Sequence, residues 1–421
     1  MIVEIIAAGS EMLTPYRQDT NSLFLTEGLN DLGVTVAFKT IVGDGIAHLA
    51  KAAEIAISRA DIVLFSGGLG PTEDDNTREA VAAALSLTLH RDESLLESLR
   101  RRFLARNIPM PPNNAKQADV LAGATILPNT TGSAAGQLID LKIPLNGYPE
   151  RRIVILLPGP PRELKPMFTE QVKPILARTL PPSFLARGLV RMALIPESVV
   201  DSRTAPIYKK YADVETTILA GSAEIQLHFA CTKPTRDEAE ARIAALSEAI
   251  EHEMDEDIFS ANGDSLEEVV LLMLGMRNLT LAAAESCTGG LLAGRLTGVA
   301  GSSRYFLGGA VVYADALKTI FADVPAALVE REGPVSEPVA RLLAEGIRHR
   351  TGASIGIAIT GIAGPGTGTG ADAAKPIGLV YIGLADADGT QVKTLNLMGD
   401  RERIRFWATQ HALEMIRRHL L

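Results

Sequence analysis

The chain has 421 residues, too many for one ordinary core, so two or three domains are expected. Hydrophobic residues make up 47% and charged residues 22%, which excludes the disordered class. Lys+Arg number 41 against Asp+Glu 50, and the resulting net charge of −9 argues against a broad nucleic-acid surface. The two cysteines, Cys231 and Cys287, lie far apart, which excludes a disulfide framework or a Cys-rich zinc site and fits a reducing compartment.

The opening MIVEIIAAGSEM has no basic segment and reads as a strand, not a signal peptide. No apolar run reaches the ~18 residues that a membrane span needs. A soluble, cytoplasmic protein is the expectation.

Residues 1–176 alternate strand and helix. The apolar run 2–8 ends in a turn, and Thr20 and Asn21 sit where an N-cap belongs before a helix at 23–32, which Gly33 closes. A strand at 34–42, a helix at 46–58 and a strand at 62–65 follow. Continuous apolar strands alternating with helices predict a parallel sheet covered on both faces. Ligands in such sheets bind outside the carboxyl ends of the strands, so the loops after Ala8 and Phe65 are where function is expected.

Residues 177–260 read as a small α+β module that gathers no catalytic cluster. Strands are predicted at 189–195, 216–219 and 225–231, with helices at 199–211 and 237–252. A connecting or dimerising role suits this stretch, and 260–264 reads as a linker. The third segment, 261–421, returns to α/β alternation. Helices are predicted at 266–276, 291–296, 336–349 and 402–420, and strands at 279–284, 309–313, 355–360, 378–385 and 392–397.

Two places carry chemistry. After the strand at 62–65 comes Ser66-Gly67-Gly68-Leu69-Gly70-Pro71-Thr72-Glu73-Asp74-Asp75-Asn76-Thr77-Arg78. Glycines permit a tight turn around phosphate, and adjacent carboxylates at a helix start can hold a hard divalent cation against it. The competing reading is an ordinary capped helix, with Asp75 or Asn76 as the cap.

The other place is the turn Ala284-Glu285-Ser286-Cys287-Thr288-Gly289-Gly290 between an apolar strand and an apolar helix. Backbone N–H groups at that helix start could cradle an anion or a developing oxyanion. Alternatively Ser286 caps the helix. Tyr313 ends a strand and Lys318 lies a little over one turn into the next helix. A neutral lysine can deprotonate a serine and a tyrosine hydroxyl can relay the proton; the competing reading is a surface lysine beside a half-buried tyrosine. Cys287 is the rival nucleophile, but no histidine lies near it in sequence to activate it. The glycine-rich run 360–370 follows an apolar strand and matches neither a Walker A loop nor a dinucleotide fingerprint.

Taken together, the 284–290 turn, Ala300-Gly301-Ser302-Ser303, Tyr313 with Lys318, Gly333-Pro334-Val335-Ser336-Glu337-Pro338, Thr360-Gly361-Ile362-Ala363-Gly364-Pro365, Lys375-Pro376-Ile377-Gly378 and Gly399-Asp400-Arg401 resemble the C-terminal domain of the CinA family. The glycine–Asp74-Asp75 run, Thr131-Gly132-Ser133-Ala134 and Leu156-Leu157-Pro158-Gly159-Pro160-Pro161 resemble the molybdopterin-binding domain that opens CinA proteins. The resemblance implies an α/β chain of three parts. These are an N-terminal three-layer α/β molybdopterin-binding-like domain (1–176), a small α+β middle module (177–260) and a C-terminal α/β deamidase domain (261–421).

It also implies two activities in pyridine nucleotide salvage. The C-terminal domain would hydrolyse nicotinamide mononucleotide to nicotinate mononucleotide and ammonia without a cofactor. Ser286 would be its nucleophile, Tyr313 and Lys318 the activating pair, and Arg401 the active-site arginine. Thr288, Gly289, Gly290, Ser302, Ser303, Thr360 and Gly361 would lie near its substrate.

The N-terminal domain would cleave ADP-ribose to AMP and ribose 5-phosphate. Asp74 and Asp75 would hold a divalent metal (Mg, Mn or Co), with K+ as a further candidate. Glu11, Asn21, Gly67, Gly68 and Gly70 would stand near the ligand. Pro15-Tyr16-Arg17 departs from the family pattern, where many members carry a Gly-Gln pair. A homodimer is expected, with small nucleotides as partners, no membrane and no direct nucleic-acid contact. The competing readings are a deamidase whose N-terminal domain only binds a nucleotide or molybdopterin-like ligand, and a non-enzymatic accessory protein in competence or the DNA damage response.

Overall fold

A computed structural model of the chain describes residues 1–145, 148–366 and 370–421. They form two compact units, Met1–Ala186 with Cys231–Ala241, and Arg187–Ala230 with Arg242–Leu421. No helix among the described residues is long and apolar enough to cross a membrane.

The first unit runs β1 (Val3–Ala8), α1 (Thr20–Asn30), β2 (Val36–Val42), α2 (Ile46–Arg59), β3 (Ile62–Ser66) and α3 (Thr77–Leu85). It continues through β4 (Leu89–Arg91), α4 (Glu93–Leu104), β5 (Asp119–Leu121), β6 (Thr125–Leu127), β7 (Gly136–Leu145), β8 (Tyr148–Leu157), α5 (Pro161–Met167) and α6 (Lys173–Thr179). Its main sheet has the order β2-β1-β3-β8-β7-β6.

Alternate residues of β1 and β3 feed opposite cores. Val3, Ile5, Ile62 and Leu64 meet Leu25 and Leu29 of α1 on one face. Ile6, Val63 and Phe65 meet Ala53 and Ile57 of α2 and Val81 of α3 on the other. This makes a three-layer α/β unit. The parallel sheet expected from the sequence extends only across β2, β1, β3 and β8. Strand β7 runs antiparallel to β8, and β6 antiparallel to β7.

The cap of α1 is neither Thr20 nor Asn21. Asp19 takes that role, its carboxylate accepting from the backbone N–H of Ser22 at 3.0 Å. Asn21 is thereby free to point its amide at the loop ends described below.

The second unit opens with β9 (Phe184–Ala193), α7 (Glu197–Tyr208), β10 (Glu215–Gly221), β11 (Glu224–Lys233), α8 (Arg236–Met254) and β12 (Ile258–Ser260), whose strands form a sheet ordered β10-β11-β9-β12. Then come α9 (Leu266–Met276), β13 (Leu281–Glu285), α10 (Leu291–Thr297), β14 (Phe306–Val311), α11 (Asp315–Ala322), α12 (Ala326–Glu332), α13 (Glu337–Thr351), β15 (Ile355–Gly361), β16 (Leu379–Ala385), β17 (Thr390–Asn396) and α14 (Arg401–His419). The five-stranded sheet is ordered β14-β13-β15-β16-β17, with β13 parallel to both neighbours and β16 and β17 antiparallel. Leu281 and Ala283 pack against α9, α10 and α14. Ala282 and Ala284 pack on the opposite face, against α13.

The boundary expected at 260–261 lies inside this second unit. Phe259 of β12 and Ala193 of β9 belong to the same core as Leu266, Leu274 and Ile416. Arg417, almost wholly buried, donates to Ile258 O at 3.3 Å and Glu256 O at 2.5 Å while pairing with Glu414 at 2.8 Å. Ser265 and Glu268 cap α9 reciprocally, so the helix start is fixed just after the expected linker. Phe259→Ala is expected to destabilise the second unit by about 3 kcal/mol through lost burial and a cavity. Thermal unfolding followed by circular dichroism checks this, and an unchanged midpoint would show that the shared core carries no stability.

Candidate functional site

In the second unit, β13 delivers Ser286 to the carboxyl edge of the sheet. The turn is pinned to β15, since Ser286 N–H donates to Ile359 O at 2.9 Å and Gly289 N–H donates to Ser286 O at 3.1 Å. Gly289 and Gly290 have φ of +60° and +92°, a region that glycine enters without strain. Ser286 does not cap α10; Gly290 occupies the cap position.

The anion cradle expected at this helix start is already filled. Glu285, buried, accepts from Gly290 N–H at 3.1 Å, Leu292 N–H at 3.1 Å and Ala293 N–H at 2.8 Å. A side-chain carboxylate thus takes the positive end of α10, leaving these donors unavailable to a developing oxyanion.

Lys318 is 1% exposed, which removes the surface-lysine reading. Its Nζ donates to Val312 O at 3.0 Å and to Asp315 Oδ1 at 3.2 Å. Tyr313 is 59% exposed, and its hydroxyl accepts from Arg401 Nη2 at 3.0 Å. Arg401 opens α14 behind its cap Asp400, and its Nη1 donates to Gly364 O at 2.6 Å. Ser286, Cys287, Tyr313, Lys318 and Arg401 all line one cavity of about 300 Å³ with Gly361 and Asp315.

The other expected substrate residues are placed differently. Thr288, Gly289, Gly290, Ser302, Ser303 and Thr360 are not among the described lining residues. Thr288 is fully buried, with its carbonyl accepting from Arg405 Nη2 at 2.7 Å. The Thr360 hydroxyl donates to Pro334 O at 2.8 Å. Ser302 is buried in a short turn and Ser303 is exposed beside it. Thr367, Gly368 and Thr369 of the glycine-rich run lie outside the described residues.

Asp315 and Arg405 escaped the sequence reading. Asp315 stands three residues before Lys318 on one helix, a spacing that signals a shared face. No comparable signal marked Arg405. Burial pushes the Cys287 thiol up to about 12, and the Glu285 carboxylate adds to the shift.

In the first unit the loop after β3 is shaped by its glycines. A Cβ on Gly67 would sit 2.3 Å from Ala8 O, and one on Gly68 2.1 Å from Thr77 Oγ1. The Thr77 hydroxyl donates to Gly67 O at 2.9 Å. Arg78, fully buried, holds the loop from beneath, donating to Leu69 O at 3.0 Å and Gly70 O at 3.1 Å. Its residue type in a predicted helix hid this buried role, because arginine there ordinarily faces water.

Asp75 accepts from Thr72 N–H at 2.9 Å and from the Thr72 hydroxyl. Asp74 is exposed, and its carboxyl lies below the ordinary aspartate value, first through Thr72 and then through its own backbone. Neither aspartate caps α3; Asn76 holds the cap position without a side-chain cap bond.

All seven N-terminal residues expected near ligand or metal, Glu11, Asn21, Gly67, Gly68, Gly70, Asp74 and Asp75, line one cleft of about 1060 Å³, where Tyr16 and Arg17 join them. Asn21 Nδ2 donates to Ser66 Oγ at 2.9 Å and Gly159 O at 2.7 Å, tying the ends of β3 and β8 together. Its Oδ1 is buried without a partner. Among the described residues no group of three or more His, Cys, Asp or Glu side chains forms a closed metal cage. Two neighbouring carboxylates suit a magnesium-like cation that takes its remaining oxygens from phosphate and water.

The chain is an α/β protein of two units, each with a cleft lined by residues from strand-end loops. Residues 4–178 match the family described as "Probable molybdopterin binding domain", and residues 263–420 match the CinA C-terminal domain. A CinA-like protein of Koribacter versatilis is 53% identical over 421 residues, covering all of both chains. One of Acidobacterium capsulatum is likewise 53% identical over the full length of both. The crystal structure of the competence/damage inducible protein CihA from Agrobacterium tumefaciens is 36% identical and covers 36% of this chain and 90% of its own, with a TM-score of 0.34. The chain belongs to the CinA family.

Proposed function

We propose that the second unit hydrolyses the carboxamide of nicotinamide mononucleotide to nicotinate mononucleotide and ammonia. The supporting observation is that Ser286, Tyr313, Lys318 and Arg401, from four different elements or turns, line one cavity. Ser286 Oγ attacks the carboxamide carbon, and its proton passes to the Tyr313–Lys318 pair. The same proton goes to the departing nitrogen, which leaves as ammonia. Water then hydrolyses the acyl-serine, giving the carboxylate and free Ser286. Arg401, fixed by Tyr313 and Gly364, supplies positive charge at the cavity, a role made more important by the consumption of the α10 N–H groups.

The first unit, in this reading, hydrolyses the pyrophosphate bond of ADP-ribose with one water, giving AMP and ribose 5-phosphate. Asp74 and Asp75 would hold a divalent cation, which neutralises phosphate charge when bound. The glycine loop braced by Arg78 and Thr77 presents backbone to the phosphates. Purified full-length protein given each substrate separately is expected to release ammonia from nicotinamide mononucleotide and AMP from ADP-ribose. Absence of ammonia would remove the deamidase reading, and absence of AMP the hydrolase reading of the first unit.

A further inference from the structure

The first-unit cleft has an unusual balance of charge. Six carboxylates line it, those of Glu11, Asp19, Asp44, Asp74, Asp75 and Glu163, against a single cation, Arg17. Four of the six accept hydrogen bonds: Asp19 from Ser22 N–H at 3.0 Å, Asp44 from Ser10 N–H at 2.7 Å, Asp75 from Thr72 N–H at 2.9 Å, and Glu163 from Asn129 Nδ2 at 2.8 Å. Arg17 itself has no ion-pair partner among the described residues. An anionic ligand entering this cleft is repelled almost everywhere except beside Arg17 and beside any cation held at Asp74–Asp75.

Next to Arg17 stands Tyr16, 92% exposed and the one aromatic side chain among the described residues lining the cleft. The segment that carries both is anchored at its two ends. Thr14 N–H donates to Glu11 O at 3.2 Å, and Thr20 N–H donates to Gln18 O at 3.1 Å beside the Asp19 cap. Pro15 further narrows the backbone choices before Tyr16. A large ring held in water at a cleft mouth has a free face, and a planar ligand that covers it gains stacking without ordering the chain.

We propose that Tyr16 and Arg17 form a two-point grip that selects nucleotides, the base stacking on the Tyr16 ring while Arg17 pairs with the adjacent phosphate. This rests on reading the cleft as a pyrophosphate site and adds the ligand class it accepts. A pyrophosphate without an aromatic ring uses only half of the grip.

The test is equilibrium binding to the full chain in magnesium buffer, with ADP and inorganic pyrophosphate as separate probes. Tyr16→Ala is expected to weaken ADP about tenfold or more, leaving pyrophosphate within about twofold, and Tyr16→Phe to bind ADP as the unaltered protein does. Arg17→Gln is expected to weaken both probes, and more at low salt than at high. Equal loss of ADP and pyrophosphate in Tyr16→Ala, no loss of ADP, or an unaltered protein that binds neither probe would overturn the grip. Intact ADP binding with no cleavage of ADP-ribose leaves the grip standing and removes only the hydrolytic reading.

Discussion

Ser286→Ala is expected to lower ammonia release from nicotinamide mononucleotide by roughly three orders of magnitude or more, while Cys287→Ala costs at most about tenfold. The two residues are neighbours on one turn and both line the cavity, so their chemistry must separate them. The thiolate is the reactive form of cysteine, and burial has pushed the Cys287 thiol up to about 12. Near neutral pH the thiol therefore stays protonated and unreactive. Ser286 is buried yet open to the cavity, with Tyr313 and Lys318 lining the same space. Its removal should not unfold α10, because Glu285 rather than Ser286 satisfies that helix start. Lys318→Met preserves the buried volume and should match Ser286→Ala, with the double variant scarcely worse than either alone, as for residues that act as one unit. An active Ser286→Ala beside an inactive Cys287→Ala would make this a thiol enzyme.

How much of this was legible beforehand depends on how local the signal is. Helix α9 begins and ends where its apolar run and its Ser265–Glu268 capping box place it. The strands β13 and β15 are continuous apolar runs and could be read directly. The β7–β8 hairpin was not readable, because its strands mix Asp140, Lys142, Arg151 and Arg152 with apolar residues. Those charges are tolerated through pairing across the strands, as in Arg151 with Asp140, which depends on register and not on composition. The stretch read as a linker, 260–264, follows directly on a buried ring. Phe259 is a single buried ring before a polar run, and only tertiary structure reveals that it joins the core of α9 and α14.

The candidate sites show the same division. Residue types and order pointed to Ser286, Tyr313, Lys318 and Arg401 through a family resemblance, and the fold brings them to one cavity. What sequence could not supply was the state of each group. Glu285 reads as an ordinary acid at a strand end, yet it occupies the donors that would otherwise face an anion. Lys318 reads as solvent-facing until α11 is packed and Val312 O and Asp315 close on its Nζ. Arg78 reads as a helix-surface cation and is instead the floor of the glycine loop. In each case the decisive quantity is a hydrogen bond that only the folded turn brings about; of these partners, Asp315 alone stands at a helical spacing that the sequence could have flagged.

Chelation is expected to divide the two activities. EDTA should abolish AMP release from ADP-ribose and leave ammonia release from nicotinamide mononucleotide within about twofold. The first-unit cleft carries six carboxylates and one arginine, so a pyrophosphate can settle there only if added positive charge offsets the repulsion. Asp74 is exposed with its carboxyl held in the ionised form, and Asp75 keeps one carboxylate oxygen free of the Thr72 contacts, which use Oδ2. Two oxygens from neighbouring aspartates suit a magnesium-like ion that completes its shell with phosphate and water. The second-unit cavity needs no such ion in the proposed chemistry, since a serine, a proton relay and a guanidinium supply nucleophile, base and positive charge. Asp75→Asn should therefore mimic EDTA on ADP-ribose, lowering cleavage about a hundredfold or more, and leave deamidation untouched. Restoring Mg²⁺, Mn²⁺ or Co²⁺ after chelation should recover AMP release in the unaltered protein and not in Asp75→Asn. Loss of both activities on chelation would show that the second site also depends on a metal, and persistence of AMP release in EDTA would take the metal away from Asp74 and Asp75.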